Sequence, residues 1–188
     1  MDVQPAINWY INGRNSSASL YLSITRDMFR ERLRRLRTDL EKQKFDLSSI
    51  ALAVAVCGEI GNNAFDHNLG KWQDQPGCWF QHAQADATLE VVLADRGQGI
   101  LNSLHTTFPN LSTEDQALSF AFEKRASGRA PERRGNGLKF VKAQIEARTG
   151  SSLIAFSSGA SYKIGKNLSF NFSPPLGMGV FVFISWKL

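Results

Sequence analysis

Residues 59–67 read Glu-Ile-Gly-Asn-Asn-Ala-Phe-Asp-His. They close a longer stretch, Leu47 to about Asn68, in which Leu47, Ile50, Val54, Cys57, Ile60 and Ala64 recur at the i, i+3, i+4 spacing of an amphipathic helix. Asp46 stands just ahead of it as an N-cap. At about 100° per residue, Glu59, Asn63 and His67 fall on one side of that helix together with Asp66. A carboxylate, an amide, an imidazole and a second carboxylate therefore share one polar stripe on an otherwise apolar helix. Such a stripe faces either solvent or a ligand. The residue types favour a ligand: an amide oxygen and a carboxylate one turn apart can hold a hydrated Mg²⁺, and the carboxylate can orient or deprotonate a nucleophile beside a phosphate.

Downstream, Cys78 to His82 and Thr88 to Ala94 (TLEVVLA) predict two strands around the polar turn AQAD. The second is apolar enough to lie inside a sheet, and it ends in Asp95-Arg96-Gly97-Gln98-Gly99. A carboxylate at that strand end can accept a hydrogen bond from an exocyclic amine, and Gly97 and Gly99 let backbone approach a flat ring. A dinucleotide fingerprint is excluded, because Asn102 stands where its third glycine belongs. A loop, a helix from about Thr113 to Lys124 and the polar run SGRAPERRGNG lead to a further helix, Leu138 to Arg148. There Gly135 and Gly137, with Arg133 and Arg134 just ahead, make an anion site at a helix N-terminus. It is not a Walker loop, since Gly137 is followed by Leu138 and Lys139. Taken singly, each glycine segment also fits a plain turn or cap.

From Ser152 onward the chain turns to strands, SLIAFSS, SYKIG, LSFNFS and GVFVFISWKL, whose aromatic residues alternate as sheet core does. Upstream, Phe29, Leu33, Leu36 and Leu40 mark a helix through Thr25 to Lys44, and two strands, Ile7 to Ile11 and Leu20 to Ile24, are predicted before it. This order predicts an α/β (α+β) two-layer sandwich, with helices on one face of a mixed, largely antiparallel sheet.

With 188 residues, 43% apolar, including 13 Phe and 4 Trp, the chain has the material for one folded domain, residues 1–188, and a disordered state is excluded. The longest unbroken apolar run, Ile50 to Cys57, is short of a bilayer span, so no membrane insertion is expected. Without a secretory leader or a cysteine framework (Cys57 and Cys78 alone), a cytoplasmic setting is expected. The net charge is +5, but the five arginines of Arg30 to Arg37 interleave with acids on the solvated faces of a helix. Nucleic acid is therefore not an expected partner.

The three segments in this order, E-x-x-x-N-x-x-x-H on a helix, D-x-G-x-G after a strand and G-x-G-L before a helix, resemble the asparagine box and two glycine boxes of the GHKL ATPases, which have the histidine kinase-like (Bergerat) ATP-binding fold. In length the chain is most similar to stand-alone anti-sigma-factor serine/threonine kinases. The resemblance implies ATP and Mg²⁺ as cofactors, Glu59 as general base or orienting residue, and Asn63 as the Mg²⁺ ligand. It further implies that Asp95 accepts the adenine amino hydrogen, Gly97 and Gly99 border the base, and Gly135, Gly137 and Leu138 wrap the phosphates. His67 matches a position often held by His in those kinases. A mobile lid would run from about Leu101 to Arg134, and residues 1–45 diverge from the family. Asp66 is expected to turn away from the phosphates or to bind through water. No histidine precedes the core as an acceptor and no coupling domain fits in 188 residues, so the implied function is phosphorylation of a separate partner protein. The alternatives are a non-catalytic nucleotide-dependent switch and a slow ATPase. A homodimer is compatible with the resemblance.

Overall fold

The computed structural model describes residues 1–13, 18–124, 136–166 and 176–188. Seven helices and six strands occur among them, in the order α1 (Gln4–Asn12), α2 (Ala18–Tyr21), β1 (Leu22–Ser23), α3 (Arg26–Lys42), α4 (Leu47–His67), β2 (Cys78–Ala85), β3 (Thr88–Ala94), α5 (Gly99–His105), α6 (Glu114–Glu123), α7 (Gly137–Ala147), β4 (Ser152–Ser157), β5 (Ala160–Ile164) and β6 (Val180–Lys187). The strands form one sheet in the order β1-β2-β3-β6-β4-β5. Every pairing among them is antiparallel, so the sheet is uniform rather than mixed in strand direction. Gly135, Arg133, Arg134, the end of the expected lid and the LSFNFS segment lie outside the described residues.

Strand β3 is central and its side chains alternate. Val91 and Leu93 enter the larger core with α3, α4 and α7, whereas Val92 and Ala94 enter a second core on the opposite face. The alternation continues past the strand end, which decides where Asp95 and Arg96 go. The partner strand β6 runs in register with Ala94 opposite Phe181, and its Phe181 and Phe183 are buried, as their period-two spacing predicts.

Helices α3 and α4 form where expected. Thr25 Oγ1 accepts from Met28 N–H, and the Asp46 carboxylate from Ser49 N–H, so both N-termini are capped by side chains. Helix α4 has 21 residues and is, by length and composition, the one helix among the described residues long and apolar enough to cross a membrane. The expectation drawn from unbroken apolar runs was too strict on that point, since a span tolerates interruptions. Its Ala53, Val56, Cys57, Ile60 and Ala64 are buried within the larger core.

Three parts of the chain differ from expectation, the first being Leu20 to Ile24, of which only Leu22–Ser23 is strand (β1), while Leu20 and Tyr21 close helix α2. Ile7 to Ile11 is not a strand: it lies within α1, which starts with Pro5 in its first turn and ends at Gly13 (φ 74°), whose N–H donates to Trp9 O at 2.8 Å. Residues Ala6, Trp9 and Tyr10 of α1 pack on the sheet face opposite α3 and α4, so helical cover extends to both faces. The stretch after Gly99 begins with a short helix, α5, where a loop is expected. Together with α6 it closes a small apolar cluster of Leu104, Ala117 and Ala121.

Candidate functional site

The polar stripe of α4, the end of β3, the start of α5 and the start of α7 meet around a cavity of about 660 Å³. Of the residues singled out in the sequence, Glu59, Asn63, His67, Asp95, Gly99, Gly137 and Leu138 line it. Its apolar wall includes Leu93, Val180, Val182, Leu118 and Phe122. Gly97 does not line it and packs instead against the Asn68 side chain, while Gly135 lies outside the described residues.

Asp95 is buried just past the end of β3. Its Oδ1 accepts from Gly97 N–H at 2.9 Å and from Asn68 Nδ2 at 3.1 Å. Burial raises its carboxyl to about 7, and these two donors and the Val180 backbone, which favour the charged form, only partly oppose that rise. Asn68 is a residue the sequence reading misses. On an ideal helix it lies about 180° from Glu59, off the polar stripe. As the C-cap of α4 (φ −110°, ψ 9°) it leaves helical geometry and turns toward Asp95. Its Oδ1 accepts from Gln98 N–H at 3.1 Å, and Gln98 Nε2 donates to His67 O at 2.6 Å. A Cβ at position 97 would run into the Asn68 side chain, so glycine there permits the Asn68–Asp95 contact. Gly99 needs its freedom for a different reason: its φ is +79°, and an added Cβ would lie 2.8 Å from Met178 O.

At the other end of the cavity, Gly137 is the first residue of α7, and a Cβ there would strike the Glu59 carboxylate. Glu59 therefore stands directly against a helix N-terminus, whose first peptide N–H groups have no partner within the helix. His67 Nδ1 is 3.1 Å from Ser103 Oγ of α5, tying the α4 stripe to the segment after Gly99. Asp66 neither turns away nor stands uncompensated: it lines the cavity and its carboxylate is ion-paired with the Arg26 guanidinium of α3. Arg26 and Arg30 line the cavity as well, although Arg30 belongs to the arginine run that the sequence alone places on the solvated faces of a helix. Asn62 of the lining has a buried Oδ1 with no hydrogen-bond partner among the described residues.

The arrangement can do three things chemically. A buried acceptor beside an apolar wall can bind the amino edge of a flat ring. A helix N-terminus flanked by a carboxylate and an amide can hold phosphates through a divalent cation. The Glu59 carboxylate can take a proton from a hydroxyl brought to that end.

No family model matches the chain, and no curated protein does. Among solved structures it is similar to the Mycobacterial sensor histidine kinase MprB, at 20% sequence identity and a TM-score of 0.40. The match covers 76% of this chain and 72% of that one.

Proposed function

We propose that this chain binds Mg-ATP in the cavity between α4, β3 and α7 and transfers the terminal phosphoryl group to a serine or threonine of a separate partner protein. One observation carries the reading: residues from three separated sequence boxes line a single cavity of about 660 Å³, within the roughly 300–1,000 Å³ usual for small-molecule sites. The donor set suits the cation. Among the described residues no group of three His, Cys, Asp or Glu could hold a metal alone, so a cation here would rest on Asn63, with Glu59 one turn away, and on the nucleotide's own oxygens. Mg²⁺ is commonly bound in that way. When bound, it supplies neutralisation of charge on the phosphates.

The chain's own residues would do the rest by positioning. Asp95 accepts a hydrogen bond from the adenine amino group, and Leu93, Val180 and Val182 shield the ring from water. The N-terminal peptide groups of α7 from Gly137 and Leu138 face phosphate oxygens. Glu59 accepts the proton of the attacking hydroxyl, and its place beside Gly137 puts that base at the phosphate end.

Calorimetric titration of adenosine, ADP and Mg-ATP into wild type and Asp95→Ala tests the nucleotide site. Binding by wild type that is lost in the variant is expected, and a wild type that binds none of them overturns the reading. Phosphoserine or phosphothreonine on a candidate partner, abolished in Glu59→Ala, tests the transfer. Binding with neither ADP nor phosphoprotein formed would leave a nucleotide-operated switch in its place.

A further inference from the structure

Arg96 follows Asp95 in the strand-ending motif and plays no part in the site as described. The alternation of β3 sends the two side chains to opposite faces: Asp95 into the cavity, Arg96 toward the second core beneath α1. Arg96 is buried and its guanidinium is fully engaged. Nε and Nη2 donate to the two carboxylate oxygens of Asp74 at 2.9 Å each, and Nη1 donates to Trp9 O at 3.1 Å and also to Tyr10 O. Those two carbonyls belong to the last turn of α1; Trp9 O already accepts from Gly13 N–H, so Arg96 adds a second donor there and caps Tyr10 O as well as forming a bidentate ion pair. A second tie runs in parallel. Tyr10 Oη lies 2.9 Å from both Gly177 O and Gly179 O, and glycine at 179 lets that segment lie directly on the Asp95 backbone. Asp95 N–H in turn donates to Val180 O at 2.9 Å. The backbone that aims Asp95 is therefore clamped on both sides by the C-terminal turn of α1.

We propose that Arg96 is a positioning residue for the nucleotide site, and that docking of α1 on the far face of the sheet and binding of adenine at Asp95 are thermodynamically coupled through it. The inference rests on the nucleotide reading above and adds a second, distant control point. Linkage makes the coupling reciprocal: nucleotide must hold α1 down as much as docked α1 favours nucleotide. Because the clamp acts on Asp95 rather than on the phosphate end, loosening it weakens adenosine, ADP and Mg-ATP by one common factor.

Hydrogen exchange of the α1 amides with and without saturating Mg-ATP is the test, joined to titrations of Arg96→Lys, Asp74→Asn and Tyr10→Phe. Slower exchange in α1 with nucleotide is expected in wild type and not in Asp74→Asn. The variants should lose about tenfold in affinity, equally for adenosine and Mg-ATP. Tyr10→Phe keeps the ring packing and so reads the hydroxyl alone. Nucleotide bound with α1 exchange unchanged, or with Asp74→Asn and Tyr10→Phe binding as wild type does, overturns this inference and leaves the nucleotide site standing. Failure of wild type to bind adenosine or nucleotide removes both.

Discussion

Asp95 carries its two hydrogen bonds on Oδ1, from Gly97 and Asn68, in a setting dry enough to raise its carboxyl to about 7. The unfolded chain releases that proton near pH 4, so between about pH 4 and 7 the folded state binds more protons and stability falls as pH rises. Above about 7 the penalty is complete. Asp95→Asn should therefore raise Tm at pH 8 and leave it nearly unchanged at pH 4, measured by calorimetry. Binding takes the opposite preference, because an amino donor favours the charged acceptor. Nucleotide affinity should weaken below about pH 7, with proton release on binding detected in buffers of different ionisation enthalpy. The Arg26–Asp66 pair supports a second prediction. Asp66→Asn leaves the Arg26 charge on the cavity without that partner, so Mg-ATP should bind several-fold tighter at low salt and adenosine unchanged, by titration at two ionic strengths. Glu59, Asn63, His67 and Asp95 were legible because stripe and strand-end patterns are local. Asn68 and Arg26 were not, since each matters only through a neighbour supplied by the fold.

At the scale of elements, the join between α3 and α4 depends on a missing side chain. Gly61 lies where an added Cβ would enter the Phe29 ring, so the ring of α3 seats on α4 there because position 61 has no side chain. Gly61→Ala should cost about 1–3 kcal/mol in urea unfolding, the usual penalty of overpacking, unless the ring shifts. Helix α1 shows why one element was misread. Ile7, Trp9 and Ile11 alternate with polar Asn8 and amphipathic Tyr10, which imitates a strand, but burial follows Ala6, Trp9 and Tyr10, the i, i+3, i+4 set of a helix. Pro5 and Gly13 bracket that helix in the order helices prefer, a signal present in the sequence and outweighed by the apparent alternation. Trp9 is fully buried and meets Trp79 with ring centroids 5.5 Å apart. Trp9→Ala should cost about 3–5 kcal/mol by denaturant unfolding.

For the whole molecule, the consequence of these contacts is cooperativity across the sheet. The cavity is walled by residues of α3, α4, the central strands and α5 to α7, elements far apart in the chain. A ligand that bridges them binds only the folded state, so it stabilises by RT ln(1 + [L]/Kd), about 2.7 kcal/mol at 100 times Kd. For a domain of this size each kcal/mol moves Tm by roughly 2–4 °C, so Mg-ATP at that excess should raise Tm by about 5–11 °C. The shape of the transition carries more than its position. If α1 is clamped to the Asp95 loop as Arg96 and Tyr10 indicate, the far-face core melts with the rest, and tryptophan fluorescence in a Trp72→Phe, Trp186→Phe background, which keeps Trp9 and Trp79, follows the same curve as far-ultraviolet dichroism, with and without nucleotide. Loosening the clamp in Asp74→Asn should separate the two probes, the tryptophan signal changing first and losing its response to Mg-ATP while the dichroism transition keeps its upward shift.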